Sequence, residues 1–306
     1  MISNSRASGD WLHRYAVLLA FCTLLLVVAG GLVTSNEAGL SVPDWPLSYG
    51  KLMPPMEGGI FYEHGHRMVA TTVGLLTIGL VVMLFRSEPR RWLRRLGLVA
   101  LGAVILQGLL GGMTVIFMLP KAVSISHACL AQLFFSTTVA IALFTSPAWK
   151  RGPQPVDDTG ESPLRWLAVA VPVCVLCQVA LGAAARHKAL GVVPHVAGAL
   201  LATGVILWVT LRILMRYSEQ PALRASALTL LGVTFVQVFL GIAAYMSRLV
   251  TADAVQPMPV MVIFTVLHVA AGALTLAASV VLSIQVFRNV RWASAGIAPA
   301  GFAVTS

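Results

Sequence analysis

The chain has 306 residues, 58% of them hydrophobic and only 10% charged. A soluble domain carries about 25% charged residues, so a water-soluble fold is excluded. The formal charge of +10 does not mark a nucleic-acid binder, because Lys and Arg cluster in short segments between apolar runs and no basic run with interleaved aromatics occurs.

Eight apolar runs, each near the roughly 20 residues that cross hydrocarbon, predict membrane helices at 15–34, 66–85, 96–118, 122–145, 164–186, 191–215, 222–246 and 260–287. The first follows a basic head as a signal peptide does, but its length and its place in the repeat below favour a retained helix. A long, irregular loop at 35–65 follows it, containing GLSVPDWPLSYGKLMPP. Asp44, Trp45 and Pro46 in that loop suit either a lid over a site or an interfacial anchor. Between the fourth and fifth runs lies a polar, proline-containing linker at 150–163.

Lys and Arg set the orientation. Arg6, Arg14, Arg86, Arg90, Arg91, Arg94, Arg95, Lys150, Arg151, Arg165, Arg212, Arg216, Arg224, Arg288 and Arg291 fall on the side of the two termini. Lys51, Arg67, Lys121, Arg186, Lys188 and Arg248 fall on the other. The excess places both termini in the cytoplasm. Cys22, Cys129, Cys174 and Cys177 all lie inside predicted spans, so no functional disulfide is expected; the C-x-x-C at 174–177 reads as packing.

Odd-numbered runs share Q-x-x-L-G: Gln107 with Gly111, Gln178 with Gly182, Gln237 with Gly241. The first run keeps Gly30, with Leu26 in place of the glutamine. Such small residues allow close helix approach, and Gln can hydrogen-bond between helices. Even-numbered runs each carry one early histidine: His66, His127, His195 and His268. The order repeats twice, which predicts two tandem, pseudo-symmetric four-helix bundles, 1–149 and 164–306.

An intramembrane histidine is a functional candidate. Four separate interhelical hydrogen bonds are the bland alternative, but four at matching depth on alternating helices argue for a common purpose. Paired imidazoles across a four-helix bundle suit a haem iron, whereas two per site leave zinc short of ligands. Arg67 and Lys121 flank the first pair; Arg186, Lys188 and Arg248 flank the second. These cations either contact propionates or snorkel to the interface. His13 and His187 read as solvated. His64 sits two residues from His66, on the opposite side of a helix, and reads as a bystander. His66 is the favoured ligand, since Glu63 at i−3 shares its face. The second half has Val192 where the first has Glu63. One pair therefore has a carboxylate beside it and the other does not, which predicts a reactive site and a permanent electron-transfer haem. A carboxylate there moves protons or stabilises positive charge; the alternative is an acidic residue placed to suit a helix N-terminus.

G-L-V-T at 31–34, G-L-S-V-P-D-W-P-L at 39–47, Pro54-Pro55 and E-x-x-H-R at 63–67, with His127, His195 and His268, resemble the haem A synthase family over essentially all eight runs. The resemblance implies oxidation of the C8 methyl of haem O to a formyl group, giving haem A for terminal oxidases. It implies haem b as cofactor on His195 and His268, substrate haem at His66 and His127, and Glu63 as the residue assisting the oxidation. It also implies a bacterial plasma-membrane location with both haems toward the external side, and a haem O synthase and a terminal oxidase as partners. Self-association is left open. Many bacterial members have a cysteine pair in the first external loop; here Ser35 and Val42 occupy that loop and no cysteine does. Two other classes compete: a dihaem cytochrome b-type carrier for quinone, which leaves Glu63 and the long loop without a task, and a transporter, which the parallel repeat disfavours.

Overall fold

The computed structural model describes residues 2–158 and 164–291. Eight long helices in it are apolar enough to cross a membrane: α1 (Ile2–Ser35), α2 (Gly58–Ser87), α3 (Arg91–Ile116), α4 (Lys121–Thr145), α6 (Leu164–Arg186), α7 (Val192–Arg216), α8 (Pro221–Val250) and α9 (Pro259–Asn289). A short α5 (Pro147–Lys150) follows α4. The chain is an all-α, eight-span membrane protein.

Local chemistry sets several boundaries. Pro147, Pro221 and Pro259 stand in the first turns of their helices, where a missing N–H costs nothing. Ser146 Oγ caps α5 through Trp149 N at 3.1 Å, and Gln220 Oε1 accepts from Leu223 N at 2.8 Å at the start of α8. Pro172 lies inside α6 and cannot donate to the carbonyl of Ala168. Ser283 of α9 donates its hydroxyl to that carbonyl instead, so the broken rung becomes an interhelical bond.

α2 begins eight residues before the predicted start at 66, which shortens the loop to 36–57. Glycines and aromatics at 58–62 carry little hydropathy signal, but here the loop supports the added turns. Gly59 lies so close to Ser41 that a side chain would overlap its hydroxyl. Glu63 and His64 therefore stand well inside the helix rather than at its mouth.

α1 packs on α2 and α4, and α3 lies against both α2 and α4. α6 and α8 each pack on α7 and α9. The halves meet where α9 contacts α1 and α4, and where α4 contacts α6, with Val27, Phe135, Ala273 and Ala277 between them. Two larger cores lie toward the end that carries the chain termini. One joins Leu12, Leu19, Leu80, Leu84, Leu93 and Ile141; the other joins Leu164, Val171, Ile213, Leu223, Leu230 and Leu282. Van der Waals packing of these buried side chains, rather than transfer out of water, joins the helices at that end of each set. The four histidines occupy the opposite end.

The linker runs along the second helix set. β1 (Val156–Asp157) pairs in parallel with β2 (Val290–Arg291), which directly follows α9. Gln154 N donates to Asn289 Oδ1 at 3.0 Å. Asp158 accepts from Tyr217 Oη at 2.7 Å and from Leu164 N at 2.9 Å, with Arg212 at 3.7 Å. Burial, and then that bond to Asp158, pushes the Tyr217 phenol up to about 12. Residues 159–163 of the predicted linker lie outside the described residues.

Candidate functional site

Each of the four histidines rests on a glycine of the preceding membrane helix. A methyl group on Gly30 of α1 would lie 3.3 Å from His66 Nε2, and one on Gly111 of α3 would lie 3.3 Å from His127 Cε1. On Gly182 of α6 it would lie 2.9 Å from His195 Cε1, and on Gly241 of α8 it would lie 2.8 Å from His268 Cε1. The recurring glycine is thus a seat for the next membrane helix's imidazole. Below about 3 Å there is no room for a side chain unless the ring moves.

The motif's glutamine holds the same neighbour. Gln107 Nε2 donates to the His127 carbonyl at 2.9 Å. Gln178 Nε2 donates to the His195 carbonyl at 2.8 Å and lies 2.9 Å from His195 Nδ1. In the last repeat the backbone acts instead: His268 Nδ1 donates to the Gln237 carbonyl at 3.1 Å. That acceptor fixes the proton on Nδ1 and leaves Nε2 with a bare lone pair, as a metal-binding imidazole requires.

His195 and His268 face each other with ring centroids 6.1 Å apart and planes at 83°. An ion held between two imidazoles needs centroids roughly 6 Å apart, given metal–nitrogen bonds of about 2.0 Å on each side. The spacing, the Nδ1 proton of His268 held by the Gln237 carbonyl and the apolar helical walls fit a haem iron between the two imidazoles. Among the described residues, no three of His, Cys, Asp or Glu gather as a multidentate metal site. The four cysteines are free thiols within the spans.

Glu63 is the one acidic residue among the described residues of the eight spans. Its side chain is 6% exposed, and both oxygens are engaged. Oε1 pairs with Arg67 Nη2 at 2.6 Å, and Oε2 accepts from Val42 N at 2.8 Å. Arg67 Nη1 donates to the carbonyls of Asp44 at 2.8 Å and Leu47 at 2.7 Å, and Nη2 reaches that of Val42 at 3.4 Å. His64, 6% exposed, lies with Nδ1 2.8 Å from Ser48 Oγ. Three side chains of α2 thus clasp residues 42–48. Within the loop, Asp44 accepts from Gly50 N at 2.8 Å and Tyr49 N at 2.6 Å. The Gly50 bond foremost, then the Tyr49 bond and the charge of Arg67, holds its carboxyl below the usual range against the opposing cost of desolvation. Trp45 packs on Gly112 of α3, where a methyl group would lie 2.7 Å from the indole. The loop therefore covers the end of α3 beside Gly111, the seat of His127.

Several expectations need correction. His64 is no bystander but a buried partner of the loop. His13 is not solvated: it is half-buried in α1, with Nδ1 3.1 Å from the Ala142 carbonyl. His187 is half-buried; burial, and then the charge of Arg186, lowers its pKa. Arg67 is occupied by Glu63 and the loop. Lys121 Nζ donates to the Lys188 carbonyl at 2.8 Å, and Arg186 Nη2 donates to Ser35 Oγ at 2.9 Å, so both tie the two halves together. Lys188 and Arg248 remain exposed at the same end.

The glycine seats had a sequence signal, since three of the four glycines stand four residues after a glutamine, but their partners are tertiary. Gly241→Ala is expected to displace His268 and cost about 1–3 kcal/mol in overpacking, read as a lowered unfolding midpoint of the purified protein. Gly232→Ala on the same helix meets nothing within 4 Å and serves as the silent control.

A family model described as cytochrome oxidase assembly protein, COX15-CtaA, matches residues 13–59 and 57–195. That range includes the loop, Glu63, His66, His127 and His195. Among curated proteins, the Heme A synthase of Symbiobacterium thermophilum is 33% identical over 173 residues, covering 54% of this chain and 55% of that protein. The Heme A synthase of Beijerinckia indica is 28% identical over 214 residues, covering 59% and 58%. That of Bacillus pumilus is 28% identical over 140 residues, covering 45% and 46%. The chain spans about half the length of the curated relatives it matches.

Proposed function

Because the chain belongs to the COX15-CtaA family of cytochrome oxidase assembly proteins, we propose that it is a haem A synthase, oxidising the C8 methyl of haem O to a formyl group. The reading is carried by the matched seating of four histidines, His195 and His268 facing at 6.1 Å among them. In it, His195 and His268 hold a haem b, which when bound supplies one-electron transfer. His66 and His127 receive the substrate haem O.

The residues divide the work. Gln178 holds the His195 backbone, and the Gln237 carbonyl keeps the proton of His268 on Nδ1 and leaves its Nε2 as the ligating nitrogen. The seats at Gly30 and Gly111 position the substrate-side imidazoles. The loop at 42–48, with Trp45 on Gly112, excludes water from the first pair. Glu63 lies one helical turn from His66, paired with Arg67, and is the proton acceptor or charge stabiliser for methyl oxidation. The two halves of the chain correspond to a substrate bundle (1–149) and a cofactor bundle (164–306). Both termini face the cytoplasm, and the haems lie toward the external side. A haem O synthase supplies the substrate, and a terminal oxidase takes the product.

The test is expression with a haem O supply, followed by chromatography of the extracted haems. The expected result is haem A together with haem b. Haem b alone under those conditions would leave the chain as a b-type electron carrier.

A further inference from the structure

At the end of the bundle that carries the termini, a cavity of about 800 Å³ opens between the halves. Its walls come from the α2–α3 turn and α5 in the first half, and from the last turn of α9 in the second. Arg90, Lys150 and Arg288 line it, with Glu88 as the one acidic group. Glu88 is spent locally: Arg90 grips it from Nε at 2.7 Å and Nη2 at 2.8 Å, and the Arg90 N–H adds a third bond at 3.0 Å. Burial is the largest single influence on that carboxyl, yet the opposing bonds and charge of Arg90 bring its pKa below the usual value. The lining therefore keeps a surplus of two positive charges.

The cations are not simply splayed into water. Arg288 and Arg90 are both half-buried and repel one another across the cavity. Arg288 is held there by Trp149, whose ring centre lies 3.8 Å from the guanidinium carbon and whose carbonyl accepts at 2.5 Å. Arg90 is held by Glu88 and by the Phe144 carbonyl at 2.9 Å. Leu12 and Trp149 add apolar surface to the lining. Ser87 and Arg288 close spans α2 and α9, so the cavity sits at interfacial depth. Like charges fixed face to face, above apolar surface and at headgroup level, complement one ligand chemistry: a phosphate ester carried on an apolar tail.

We propose that this cavity binds the phosphate headgroup of an anionic phospholipid, which bridges the two halves of the protein on the side expected to face the cytoplasm. The site is remote from His66, His127, His195 and His268 and does not depend on the haem reading.

The test is thermal unfolding of the full-length, detergent-purified protein with added phosphatidylglycerol, phosphatidylcholine or inorganic phosphate. Phosphatidylglycerol is expected to raise the midpoint by roughly 3–6 °C, and phosphatidylcholine to leave it unchanged. Arg288→Gln should lose the response. Lys150→Glu, an exposed substitution that keeps the test valid if the first variant folds poorly, should lose it too. Arg86→Glu, at the same end but outside the lining, should keep it. An equal loss in Arg86→Glu would reduce the effect to general surface attraction and overturn the proposal. A full response to millimolar inorganic phosphate, or to phosphatidylcholine, would overturn it as well.

Discussion

Glu63→Gln is expected to lower haem A formation by about 10²–10⁴-fold, the usual worth of a positioned acid–base group. Haem O or its hydroxylated derivative should accumulate, and bound haem b should be retained. The amide has a single carbonyl oxygen, so it accepts from Val42 N–H or from Arg67 but not from both, and the charge is lost as well. Loss of charge leaves Arg67 in a nearly closed site without its counter-ion, and breaking a buried pair costs about 3–5 kcal/mol. Anchoring and chemistry therefore have to be separated. Arg67→Gln provides the comparison, since it releases the carbonyls of Val42, Asp44 and Leu47 but retains the carboxylate. Limited proteolysis at 42–48 reads the anchor; haem chromatography reads the chemistry. If both variants open the loop equally and lose product equally, Glu63 is an anchor only, and its chemical role is rejected.

The second large effect is at the cofactor pair. His268→Ala should remove the reduced-minus-oxidised haem b signal, because His195 alone would leave the proposed haem with a single protein ligand. His195→Ala should do the same, and the double variant should add little, since both remove one unit. His66→Ala should leave the haem b signal in place. An unchanged spectrum in His268→Ala would reject the ligand assignment, and loss of the signal in His66→Ala would merge the two sites into one.

The eight spans were legible because hydropathy over about 20 residues is a bulk property that neighbours cannot mask. The four histidines stood out for the same reason, as isolated polar groups in apolar runs. What the sequence hid is pairwise. Glycine at Gly182 announces close approach but not that the approaching group is an imidazole. His64 and His66 differ by two positions, and only the fold of the loop turns one toward Ser48 and leaves the other on Gly30. His13 looked like part of a solvated tail because the helix that continues through it carries charged and polar residues at that end. The start of α2 was misplaced because Gly58 and Gly59 are poor helix formers, and the contact with Ser41 that explains Gly59 spans 18 residues of chain.

The clasp on α2 has a consequence for how this protein can vary. Arg67 grips Val42, Asp44 and Leu47 by their carbonyl oxygens, and Glu63 grips Val42 by its N–H. These are groups that every residue type offers, proline's missing N–H aside. Side-chain identity enters the attachment at Ser48, through His64, and at Asp44, through the turn it caps. The loop can therefore drift in composition, even exchange a cysteine for a serine or valine, while its docking on the helix stays the same. Swapping loop segments between relatives is best judged by backbone length and turn placement, not by residue matching.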